Sequence, residues 1–246
     1  MDELNTFDTF ATPNQFAFSA VEMDNLGATE YTIVNMLVDE SGSVGRFKTE
    51  LQDAMKIVFE SCQKHPRSQN LLLRTAAFES QTVREIHGFT TLDTIDPAKF
   101  VINPSGSTPL FDATLDSVET TAGYAKILND QDYFCNGIVF VMTDGEENSS
   151  QCATVSKIRD AVTKIRIDES LESIKLILIG VNDSSPNLKA YLDTFKTDAG
   201  FDEYISLGDV TPAKLAKLAE WISQSISSTS QSLGTGGPSK AVNFVI

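Results

Sequence analysis

The segment Tyr31-Thr32-Ile33-Val34-Asn35-Met36-Leu37-Val38-Asp39-Glu40-Ser41-Gly42-Ser43 passes within one residue from a nearly unbroken apolar run to a polar, glycine-containing loop. A short, β-branched run of this kind predicts a strand covered on both faces, as in parallel sheets. Gly137 to Thr143 repeats the pattern and empties into Asp144-Gly145-Glu146-Glu147-Asn148, and Ile174 to Val181 is a third such run. Between them lie helix-spaced segments. Phe47 to Cys62 places Leu51, Ala54, Met55, Val58 and Phe59 on one face, and Pro109 to Leu128 does the same with Leu110, Ala113, Thr114, Val118 and Ala122.

Further elements fill the intervals. Leu71 to Phe78 and Thr82 to Phe89, joined by Glu79-Ser80-Gln81, predict a hairpin. Ala153 to Arg166 predicts a helix, and Tyr204 to Leu207 a short last strand. Ser185-Pro186 and Thr211-Pro212 read as helix starts, a capping hydroxyl followed by proline at the first helical position, the second opening a helix through Trp221 to Ser227. Strands alternating with helices predict an α/β fold: a doubly wound, mainly parallel sheet with one antiparallel strand and helices on both faces. The organisation expected is an N-terminal extension over 1–29 with an edge strand at Gln15 to Met23, one domain over 30–228, and a flexible tail over 229–246. The tail is small and polar through Gly234-Thr235-Gly236-Gly237-Pro238 and apolar again from Ala241 to Ile246.

Composition narrows the function classes. The formal charge of -15 over 246 residues argues against nucleic acid, whose phosphates require a basic face. No apolar run reaches the ~18 residues of a membrane span, so no membrane insertion is expected. The stretch Met1 to Phe10 lacks the basic and apolar regions of a signal peptide. Three cysteines, Cys62, Cys135 and Cys152, fit no metal spacing and suit a reducing compartment. A cytoplasmic location is the expectation.

In doubly wound sheets ligands gather beyond the carboxyl ends of the strands. There the sequence places Asp39, Ser41 and Ser43 after the first buried strand, Asp144 after the central one, and Thr108 before the Pro109 helix. These five residues offer oxygen only, which suits a hard cation, Mg²⁺ or Mn²⁺, over zinc. Two carboxylates balance the dication while the hydroxyls add no charge, leaving room for an outside carboxylate. Ser43 and Thr108 also have plain local readings, as a helix cap and a helix start. Asp112 is expected either to hydrogen-bond the site from behind the ligands or to cap or face solvent, and Glu146, Glu147 and Asn148 are expected to form a solvated loop in preference to shaping the rim.

Taken in order, Asp39-x-Ser41-x-Ser43, Thr108 in a Gly-Ser-Thr-Pro-Leu loop, and Thr143-Asp144-Gly145 strongly resemble the metal-ion-dependent adhesion site of von Willebrand factor A (vWA) domains. The resemblance spans Tyr31 to Ser227. It implies that Ser41 and Ser43 ligate the metal directly, that Thr108 and Asp144 exchange direct and water-mediated roles, and that Asp39 acts through water and hydrogen bonds. It also implies a binding module whose partner is a protein with an exposed Asp or Glu. The composition suits an intracellular protein, and the resemblance to stand-alone intracellular domains of this kind implies an alternative, a partner subunit of an AAA-type ATPase machine or of a stress-response complex, with a bacterial or phage source expected.

The rival class is a phosphotransferase or phosphatase with Asp39 as nucleophile. Haloacid-dehalogenase-like phosphatases carry an aspartate two positions later, where this chain has Ser41. Response-regulator receivers want an acidic pair before that strand's aspartate and a lysine near the last strands, where this chain has Asn35-Met36-Leu37 and Gly180-Val181-Asn182. His65 and His87 are expected at the surface, away from the rim. Cys135 and Cys152 lack an adjacent base, so no enzyme activity is expected.

Overall fold

The computed structural model describes residues 7–12, 16–80, 82–168 and 170–230. Eight strands form one sheet: β1 Phe7–Ala11, β2 Ala17–Val21, β3 Glu30–Asp39, β4 Leu71–Glu79, β5 Thr82–Thr91, β6 Phe134–Thr143, β7 Ser173–Gly180 and β8 Glu203–Ser206, in the order β1-β2-β5-β4-β3-β6-β7-β8. Among the described residues five α-helices cover it: α1 Lys48–Gln63, α2 Leu110–Asn129, α3 Val155–Ile167, α4 Pro186–Ala199 and α5 Pro212–Ser230. Strands β4, β3, β6, β7 and β8 are mutually parallel, and β5 runs antiparallel beside β4. This is the doubly wound α/β sheet expected.

The stretch set apart as an extension, 1–29, supplies two strands of the same sheet. Strand β2 lies parallel to β5, so it too runs against the main direction, and β1 pairs antiparallel outside it. The strand expected at Gln15 to Met23 is therefore second from the edge; its first residue lies outside the described residues. So does the tail beyond Ser230, including the apolar Ala241 to Ile246.

Burial explains the two-sided winding. Alternate residues of β3 face opposite ways. Ile33 and Leu37 join Leu110, Val118, Ile158, Leu176 and Leu192 in one buried cluster under α2, α3 and α4. Val34, Met36 and Val38 join Leu51, Val58, Phe140, Ile177, Leu218 and Trp221 in the other, under α1 and α5. Asn35 is a polar residue inside this apolar run; its amide donates to Ser117 O, Thr120 Oγ1 and Thr121 Oγ1, all on α2, at 3.1 Å each.

Local expectations fared unevenly. Pro186 opens α4 as expected, but Ser185 makes no side-chain cap. Thr211 does cap α5, its Oγ1 accepting from Lys214 N at 3.3 Å. His65 is buried, contrary to a surface role: its Nε2 meets Ser227 Oγ at 2.9 Å, joining the end of α1 to α5. His87 does not point out either. Its ring stacks on Phe100, because β4 and β5 shift register between Thr75 and Ala76, opposite His87. Among the described residues no helix is long and apolar enough to cross a membrane.

Candidate metal centre

Asp39 ends β3 and Thr143 ends β6, and the two strands are neighbours in register, so both loops leave the sheet side by side. Asp39 is fully buried. Its Oδ1 accepts from Ser41 N at 2.8 Å and its Oδ2 from Thr143 Oγ1 at 2.6 Å. Ser41 Oγ lies 3.1 Å from Ser43 Oγ, and Ser43 Oγ donates to Asp144 Oδ1 at 2.9 Å. A β-carbon built on Gly145 would sit 3.8 Å from Thr108 Oγ1 and 3.9 Å from Ser43 Oγ, so both hydroxyls border the same backbone. The structure thus brings together all five residues expected at the rim.

The loop that carries Thr108 is tied down from two sides. Gly42 N donates to Gly106 O (3.1 Å), Ser105 N to Glu40 O (2.9 Å), and Ser80 N to Ser107 O (2.9 Å). Gly106 has φ +65°, and an added β-carbon would collide with Ser80 and Glu79, so glycine is required on both counts. The buried carboxylate of Glu40 accepts from Asn103 N at 2.9 Å and from the Arg84 guanidinium at 2.5 Å.

Three neighbours of the motif behave differently from a solvated loop. Glu147 accepts at 2.8 Å from Phe111 N, one of the free amides at the start of α2, and from Ser149 N and Ser150 N in its own turn. Asn148 Oδ1 accepts from Thr108 N at 2.8 Å while Asn148 N donates to Thr108 O at 3.1 Å. Asp112 turns away from the rim to accept from Gln151 N, Cys152 N and Ala153 N. These bonds join α2 and its approach to the loop after β6 across 36 to 41 residues, a separation no local sequence pattern encodes.

Electrostatics at the rim follow from burial. Removal from water pushes the Asp39 carboxyl up to about 6, against the hydrogen bonds from Ser41 and Thr143, with the Asp144 charge pushing the same way as burial. Burial raises Asp144 also, opposed by the Ser43 hydroxyl. Two carboxylates that resist ionisation because they are buried, with hydroxyls between them, form an oxygen-only donor set that fits Mg²⁺ or Mn²⁺. Among the described residues no cluster of three or more His, Cys, Asp or Glu gathers to hold a metal; the donors here are hydroxyls as much as acids.

No family model matches the sequence, and none of the curated proteins matches it. Solved structures do. The minor pilin PilB of Streptococcus sanguinis is 15% identical, with TM-score 0.57 over 91% of this chain and 67% of the pilin chain. The pilus adhesin SpaC of Lactobacillus rhamnosus GG, in its open conformation, is 10% identical, with TM-score 0.58 over 91% of this chain but 36% of its own. The vWF domain of the type V pili tip protein Mfa5 from Porphyromonas gingivalis is covered over 96% of its length, with 82% of this chain, 12% identity and TM-score 0.52. The fold is vWA-like. This chain spans about two thirds of the pilin and about a third of the adhesin. At such identities the likeness is one of architecture, and within this vWA-like fold the five-residue rim occupies the carboxyl end of the sheet at β3 and β6.

Proposed function

We propose that this chain is a protein-interaction module that holds one Mg²⁺ or Mn²⁺ at a metal-ion-dependent adhesion site and through it grips an acidic side chain of a partner. The carrying observation is the continuous contact Ser41–Ser43–Asp144, with Asp39 behind it and Thr108 beside it. Ser41, Ser43, Thr108 and Asp144 would hold the ion, and Asp39 would orient Ser41 and take its share of the charge. The bound ion supplies a Lewis-acidic bridge between the protein and the partner's carboxylate. The hydroxyls and carboxylates of the rim converge as oxygen donors on one place, an arrangement that supports cation binding and with it a binding role. The pilin, pilus adhesin and pilus tip protein among the structural neighbours favour a surface protein or receptor as partner over an AAA-type ATPase.

Titration calorimetry with Mg²⁺ and Mn²⁺ on the wild type and Asp144→Ala tests the site: the variant should lose binding, and equal binding by both would remove the assignment. Capture of partners with and without EDTA tests the function. Thr108→Ala should weaken partner capture more than metal binding, whereas Asp39→Ala should damage both.

A further inference from the structure

We propose that Asn148 is a positioning residue for Thr108: its side chain sets where the Thr108 hydroxyl stands at the metal rim. The inference rests on the metal-binding reading and extends it to a residue outside the five-residue motif.

Thr108 lies before α2, which begins only at Leu110 with Pro109 as its cap, so its amide and carbonyl are not held by the helix. Both groups are instead taken by one residue. Asn148 Oδ1 accepts the Thr108 amide at 2.8 Å, and the Asn148 amide returns a bond to the Thr108 carbonyl at 3.1 Å. A reciprocal pair of this kind fixes both the height and the rotation of the Thr108 backbone, and thereby the direction of its side chain. Asn148 lies four residues beyond Asp144, in the same loop. That loop is further anchored on α2 by Glu147, which accepts from Phe111 N at 2.8 Å, and by Ser150 Oγ, which accepts from Phe111 N at 3.1 Å and Asp112 N at 3.0 Å. The Thr108 and Asp144 sides of the rim are thus one body. The loop after β3 meets this body through Ser43 Oγ to Asp144 Oδ1, Gly42 N to Gly106 O and Ser105 N to Glu40 O, none of which holds the Thr108 backbone itself. Asparagine at 148 is suited to the task because its side-chain oxygen, an acceptor, reaches the Thr108 amide.

The test uses the full chain with Mn²⁺ as probe, comparing wild type, Asn148→Ala, Asn148→Asp and the control Ser149→Ala, which alters the same loop without touching Thr108. In metal-free protein, amide exchange at Thr108 should be protected in wild type and in Asn148→Asp, which keeps the acceptor, and exposed in Asn148→Ala. Mn²⁺ affinity should fall about tenfold in Asn148→Ala, the lower end of the range for outer partners of metal ligands and no further than in Thr108→Ala measured beside it, and recover in Asn148→Asp, with thermal midpoints unchanged across the series. Thr108 amide exchange that is fast in wild type, or an alanine variant that binds Mn²⁺ as wild type does, overturns the proposal. So does an aspartate variant as weak as the alanine one. Wild type that protects Thr108 but binds no Mn²⁺ overturns the metal-site reading and the role of Asn148 at it, leaving only a loop contact.

Discussion

Asp39 is held where its charge is least welcome. It is fully buried, it receives two hydrogen bonds, and its neighbour Asp144 is a second acid. Burial wins over the hydrogen bonds, leaving the carboxyl at about 6 against the ordinary 3.8. Because the folded value is raised, the stability this group contributes is fully present below about 3.8 and is lost as pH rises through about 6. A divalent ion reverses the balance by favouring the ionised form. Mg²⁺ affinity should therefore be flat above pH 7 and weaken as pH falls below 6, with proton release accompanying binding in that range. Calorimetry at pH 5.5 and 7.5, in buffers of different ionisation enthalpy, measures both. Asp39→Asn should abolish the ion-linked rise in melting temperature while leaving the ion-free protein at pH 7.5 no less stable than wild type. An ion-free variant that melts well below wild type would mean the carboxylate stabilises the fold by itself.

At the scale of elements, the docking of β2 onto β5 depends on one position. Among the described residues only Ala20 and Phe89 pair directly, yet the backbone of Ser19 passes so close to Gly88 that any β-carbon there would strike the Ser19 main chain and hydroxyl. Glu85, on the same strand, accepts from Ser19 N and from Ser19 Oγ (2.6 Å), and Phe18 packs edge-on to Phe89 and Tyr124. Gly88→Ala should lift the β1–β2 pair off the sheet at a cost of roughly 1–3 kcal/mol, typical of overpacking. Amide exchange over 17–21 should accelerate far more than over β3, and uniform acceleration would point to global loss instead. This element marks where sequence reading ends. The central strands were legible because each buried run ends abruptly in a polar loop, and the rim could be read because Asp39, Ser41 and Ser43 are adjacent in sequence. Strand β1 could not be read: Phe7–Ala11 is largely exposed, with only Phe7 and Phe10 as large apolar residues. The inward turn of His87 depends on a register shift, and the attachments of Glu147 and Asn148 on contacts some forty residues distant.

Across the whole molecule, one buried cation ties the N-terminal strands to the sheet centre and to α2. Arg74 on β4 is 1% exposed. Its Nε donates to Glu85 Oε1 at 2.8 Å, and its Nη1 lies 3.4 Å from Asp116 Oδ2 and from Asn35 Oδ1. Glu85 carries the link outward to Ser19 on β2, while Asn35 and Asp116 carry it to β3 and α2. Burial lifts the Asp116 carboxyl to about 6, and Arg74 is the first of the groups that hold it down. Removing the guanidinium while keeping its volume, as in Arg74→Met, strands a buried acid, and breaking a buried pair in this way costs roughly 3–5 kcal/mol. The cost should depend on pH with a definite sign. Asp116 is raised above its unfolded value, so its contribution is lost as pH rises through the folded value; without Arg74 that value climbs further, and the loss extends to higher pH. Urea unfolding should therefore show Arg74→Met weakened more at pH 8 than at pH 5, where Asp116 is largely protonated in both proteins. Adding Asp116→Asn should recover part of the deficit at pH 8 and little at pH 5. Equal losses at the two pH values, or no recovery in the double variant, would mean that Arg74 acts through packing and its bond to Glu85, and that the acid on α2 is not part of the network's energetics.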